Sequence, residues 1–128
     1  FTAGHWVPEM IEIAGGINLI SKTGEHSRRL NIAEVVKSNP DIIIMMPCGF
    51  DTHRTIKECD GFLKNKKEWN NLEAVKKNQV FAVDANSFFS KPSIRTIESI
   101  EILAKIIQPE IFKDLKVSDK SFVHIAND

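Results

Sequence analysis

An α/β fold, a three-layer sandwich in which helices flank a small, mostly parallel sheet, is predicted by three features of this 128-residue sequence. The run Asp41-Ile42-Ile43-Ile44-Met45-Met46 is apolar without alternation, the pattern of a strand covered on both faces. A second strand-like segment occupies residues 79–83, with Val80, Phe81 and Val83. Before, between and after these segments apolar residues recur at helical spacing, so helix and strand alternate along the chain.

Taken in order, Val7, Met10, Ile11 and Ala14 predict a short helix over 6–14. Pro8 is tolerated in its first turn and Gly15-Gly16 supplies the stop. Residues 21–29 are polar and aperiodic, a surface loop leading to a second short helix at about 31–38 with Asn31 as its cap. Asn39-Pro40 ends that helix, and the run at 42–46 is assigned as the central strand. Asp51 then caps a helix reaching about Leu63, residues 64–67 form a basic surface turn, and Trp69, Leu72 and Val75 make a further helical stripe against the sheet. After the second strand, residues 85–92 form a polar and aromatic loop, and Ser93 caps the longest helix. Ile94, Ile97, Ile100, Ile102, Leu103, Ile106 and Ile107 give that helix a broad apolar face, which Gln108-Pro109 closes before a last turn at 110–115. Residues 1–115 are thus read as one α/β lobe and 116–128 as a tail, in which Phe122-Val123-His124-Ile125 suits an edge strand.

Composition narrows the function classes. Lys plus Arg equals Asp plus Glu at 17 each, so no cationic surplus draws nucleic acid or anionic lipid. No apolar run approaches the roughly 18 residues that span a bilayer, so no direct membrane insertion is expected from this segment. Cys48 and Cys59 lack metal-ligand spacing and are expected as free thiols. His5, His26, His53 and His124 are scattered without i,i+4 pairing, and no metal site or cofactor is assigned. Phosphate-loop, nucleophile-elbow and dinucleotide-fingerprint glycines are missing from the sequence, so it reads as a binding domain and not an enzyme. Cys48 as a strand-end nucleophile is the enzymatic alternative, set aside because no basic partner is fixed near it in sequence.

Ligands on α/β sheets bind beyond the carboxyl ends of the strands. That rule singles out Pro47-Cys48-Gly49-Phe50 and Asn86-Ser87-Phe88-Phe89-Ser90-Lys91. Aromatic rings, a hydroxyl and a cation are what a flat amphiphilic ligand needs, since rings supply area and a few polar groups fix orientation. Gly4-His5-Trp6 ahead of the first helix offers a similar mixture. As a bare module, the chain is alternatively read as self-associating through its sheet edge or an apolar face.

The string Ala3-Gly4-His5-Trp6-Val7-Pro8-Glu9-Met10-Ile11-Glu12-Ile13-Ala14-Gly15-Gly16 resembles the first motif of the C-terminal lobe in cobalamin-type class III substrate-binding proteins of ABC importers. Gly24-Glu25-His26-Ser27-Arg28-Arg29, Asn39-Pro40-Asp41, Pro47-Cys48-Gly49-Phe50, residues 69–75, Val80-Phe81-Ala82-Val83-Asp84, Phe89-Ser90-Lys91-Pro92 and Arg95 continue the likeness in order, through Gln108-Pro109-Glu110. The resemblance implies a corrinoid held between two lobes, of which this chain supplies one, with ABC permease subunits as partners and an extracytoplasmic location. The N-terminal lobe, the helix joining the lobes and the first strand of this lobe are expected to lie outside the chain. The resemblance and the loop positions together mark Trp6, Phe50, Phe88 and Phe89 as apolar walls, with His5, Ser87 and Lys91 as polar anchors and Arg28 and Arg95 as lesser candidates. Lys91 stands where the family has Arg, and Ser93-Ile94 where it has Gly-Pro, which leaves an iron-siderophore or haem carrier of the same fold as the alternative. The family's permease-docking glutamate aligns with Ala33, and Glu34 one position on is the docking candidate.

Overall fold

The structure, a computed structural model, describes residues 7–20, 32–46, 50–62, 66–84, 96–117 and 121–125. Its elements run α1 (Val7–Ile13), α2 (Ile32–Ser38), β1 (Ile43–Met45), α3 (Thr52–Phe62), α4 (Lys67–Asn70), α5 (Glu73–Lys76), β2 (Val80–Val83), α6 (Thr96–Ile107) and β3 (Phe122–His124).

β1 pairs with β2 in parallel, Ile43 opposite Val80 and Met45 opposite Ala82. β2 pairs with β3 antiparallel, Phe81 opposite His124 and Val83 opposite Phe122. The described sheet is therefore small and mixed, in the order β1-β2-β3. The central place belongs to β2 and not to the run at 42–46: Val80, Ala82 and Val83 are buried, whereas β1 is half-buried throughout. An unbroken apolar run reports that both faces of a strand are covered, and it is silent on how many neighbours pair with its edges.

Both faces are covered here. Side chains alternate across a strand, and Ile42, Ile44 and Met46 pack into one core while Ile43 and Met45 pack into another. Phe81 and Val83 follow the first set, Val80 and Ala82 the second. The first core adds Met10 and Ala14 from the α1 segment and Ile102, Leu103, Ala104 and Ile106 from α6. The second adds Cys59, Trp69, Leu72 and Val75 beneath α3, α4 and α5, with Ile32 and Val35 of α2 against it. Helices thus lie on both sides of the sheet, which is the three-layer sandwich.

The helix ends have local causes. Gly15 adopts φ +96, and its N–H reaches Glu12 O at 3.0 Å while that of Gly16 reaches Ile11 O at 2.9 Å. These two bonds are the Schellman pattern, which a left-handed glycine closes at little cost. A Cβ on Gly15 would also run into the Gln108 side-chain amide, which donates to Ala14 O at 3.3 Å and ties the end of α1 to the end of α6. Asn39 (φ 43) and Asn78 (φ 56) end α2 and α5 in the same left-handed region, where asparagine is the best tolerated residue after glycine. The stripe expected at 69–75 is two one-turn helices, broken at Asn71-Leu72, yet Trp69, Leu72 and Val75 are all buried as their spacing requires.

α6 buries Ser99, Ile102, Leu103 and Ile106. Ile97, which the sequence placed on the same broad face, is 70% exposed; at 100° per residue it points away from those four. Leu63, Ile94 and the caps expected at Asn31 and Ser93 lie outside the described residues. Within the segment read as a tail, Phe122 packs into the first core and Ile125 is buried in the second.

Candidate functional site

β1 ends at Met45, and the chain reaches the start of α3 by Asp51. So short a connection holds the head of α3 close beyond the strand's carboxyl end, where ligands of α/β sheets gather. Asp51 caps this helix: its Oδ1 accepts the Arg54 N–H at 2.9 Å. Its carbonyl oxygen accepts both the Thr55 N–H at 3.1 Å and the Thr55 hydroxyl at 2.9 Å. Thr55 and Cys59, one turn apart, are buried and press α3 onto the fold, and α3 packs against β2.

Phe50, just ahead of the cap, is half-buried. The guanidinium carbon of Arg54 lies 3.8 Å from the centroid of its ring, within the range of a cation–π contact. At the neighbouring strand end Asp84 follows Val83, and its N–H donates to Ser121 O at 2.7 Å. Because β3 runs antiparallel, its amino end meets the carboxyl end of β2 there. The described rim of the site is thus Phe50, Asp51 and Arg54 beside β1, and Asp84 with Ser121 beside β2.

Of the residues singled out from sequence, His5, Trp6, Ser87, Phe88, Phe89 and Lys91 lie outside the described residues, as do Arg28, Cys48 and Arg95. Phe50 is described and sits at the rim. Glu34 is in the first turn of α2, half-buried and engaged within the chain, while Ala33 beside it is exposed. It belongs to a helix that packs against α4 and not to the strand-end group. Arg54 was not among the sequence candidates. Its spacing of four from Phe50 was visible in the sequence, but Phe50 lies ahead of the cap at Asp51 and outside α3, so the spacing alone did not mark the pair.

Among the described residues no group of three or more His, Cys, Asp or Glu is placed to hold a metal. No helix of the described residues is long and apolar enough to cross a membrane. Cys59 is buried and in no disulfide among the described residues. The described strand-end residues bring together an aromatic ring, a cation lying over it and acidic groups.

Asp51→Ala is expected to lower the stability of the chain by about 1 kcal/mol, the usual cost of an emptied N-cap. Chemical denaturation reads this as a lower midpoint with an unchanged slope. A midpoint equal to wild type contradicts the capping role.

The sequence profile of the family described as periplasmic binding protein matches residues 1–87. The vitamin B12-binding proteins of Vibrio cholerae strains O395 and N16961 are each 26% identical over 98 residues, covering 77% of this chain and 32% of their own length. The chain therefore spans about a third of the length of the curated relatives it matches. A crystal structure of the TroA-like periplasmic binding protein FepB from Veillonella parvula superposes with a TM-score of 0.75 at 21% identity, covering 98% of this chain and 43% of that one. An ABC transporter substrate-binding protein from Listeria monocytogenes EGD-e gives a TM-score of 0.68 at 26% identity, covering 81% of this chain and 40% of that one.

Proposed function

Because the chain belongs to the periplasmic binding protein family, we propose that it is one lobe of the substrate-binding protein of an ABC importer, recognising cobalamin or a related corrinoid. The observation that carries this reading is the similarity to the Vibrio cholerae vitamin B12-binding proteins over 98 residues. The chemistry of the strand-end loops supports it. Trp6, Phe88 and Phe89 supply ring area for a large flat ligand, Phe50 carries Arg54 over its ring, and His5, Ser87 and Lys91 supply the few polar groups that orient the ligand.

In this reading the ligand lies between two lobes and binding is closure without covalent chemistry. The partners are the permease subunits, with Glu34 or its exposed neighbour Ala33 at the docking surface, and the protein works outside the cytoplasm. The second reading is an iron-siderophore or haem carrier of the same fold, because those ligands are also flat or bulky and partly anionic, and Lys91 suits either.

The two readings separate by mutation of the two-lobe protein. Trp6→Ala or Phe88→Ala is expected to weaken cobalamin binding by roughly 1–3 kcal/mol, the value of an aromatic anchor desolvated against its ligand. Lys91→Ala is expected to cost less, since a flexible ammonium near solvent is screened and hydrated. Isothermal titration of the three variants reads both; a Lys91 effect larger than both aromatic effects favours the anionic chelate.

A further inference from the structure

We propose that Arg54 is the residue that reads a phosphodiester on the bound ligand, with Phe50 as the platform that holds it; this rests on the corrinoid reading given above. From sequence Phe50 was expected to be an apolar wall. The guanidinium carbon at 3.8 Å from its centroid changes that role. A ring face covered by a cation is not available to a corrin, so what the ligand meets beside β1 is the guanidinium.

Three observations make Arg54 a recognition group and not only a packing contact. It is exposed at the end of the sheet where α/β folds place their ligands. Its backbone is set by the Asp51 cap and by the buried Thr55 next to it. Its guanidinium, held over the Phe50 ring, presents a planar fork of N–H donors of the kind that matches two oxygens of a phosphate. Because ring and helix hold the group before the ligand arrives, less rotamer entropy is lost on binding.

Complete corrinoids carry one such anionic group, the phosphodiester of the nucleotide loop, on a periphery otherwise made of neutral amides. Cobinamide lacks the nucleotide and its phosphodiester, so the two ligands isolate the contact. Cyanocobalamin and dicyanocobinamide are titrated into the two-lobe protein as wild type, Arg54→Gln, Arg54→Lys and Phe50→Leu. Arg54→Gln is expected to lower cyanocobalamin affinity ~10- to 100-fold, the range of a lost charge-assisted contact, and to leave dicyanocobinamide within ~2-fold. Arg54→Lys keeps the charge without the fork and recovers part of the loss. Phe50→Leu keeps apolar volume without the ring face, and its loss has the same ligand-selective sign. Equal losses for both ligands, or none for either, overturn the proposal while leaving the corrinoid reading in place. Failure of wild type to bind either ligand overturns the corrinoid reading and this proposal with it.

Discussion

Leu103→Ala is expected to lower the unfolding free energy of the chain by about 2–5 kcal/mol, a large share of what a domain of this size possesses. Leu103 has no exposed surface and lies in the core that joins α6 to Met10 and Val83. Truncation removes the transfer free energy of its methyl groups and leaves a cavity between helix layer and sheet that rigid neighbours fill only in part. Ile97→Ala on the same helix is the internal comparison. Ile97 is 70% exposed, so its loss is expected to stay within about 0.5 kcal/mol. Urea denaturation of both variants reads the difference directly. A Leu103 effect no larger than that of Ile97 contradicts the placement of α6 in the first core.

The second large effect is on affinity. The 128-residue chain alone is expected to bind corrinoid ~100-fold or more weakly than the two-lobe protein. Small-molecule sites bury most of the ligand surface, and a single lobe leaves one face of a corrin in water. Loss of two aromatic anchors at about 1.4 kcal/mol each, within the usual range, already accounts for a factor of ~100. Equilibrium titration of the chain and of the two-lobe protein under the same conditions measures the ratio. Equal affinities mean that the chain holds a complete site by itself and contradict the shared-cleft account.

Much of the fold was legible because burial leaves periodic marks. The gapless run at 42–46, the spacing of Trp69, Leu72 and Val75, and the Gly15-Gly16 stop each report a local requirement, and each has its counterpart in β1, in the buried residues of α4 and α5, and in the Schellman bonds. Strand order was not legible. Whether Ile43 or Val80 lies at the centre depends on pairing between segments far apart in sequence, and a side-chain pattern encodes faces and not edges. Ile97 was misplaced for a related reason: isoleucines surround α6, and apolarity alone does not choose the side that Leu103 and Ile106 occupy. Phe50 was legible as a residue just after a strand, but the contact of its ring with Arg54 needed the helix geometry. A cation four residues past an aromatic is common, and only the cap at Asp51 turns the pair into a fixed group.

The central claim is that this lobe recognises a corrinoid, and ligand choice by the two-lobe protein tests it most directly. Cyanocobalamin, haem and a ferric siderophore are titrated separately by isothermal calorimetry under one set of conditions. The account predicts saturable binding of cyanocobalamin at least ~100-fold tighter than either competitor, a preference of about 2.7 kcal/mol. Heat with haem or the siderophore and none with cyanocobalamin contradicts it.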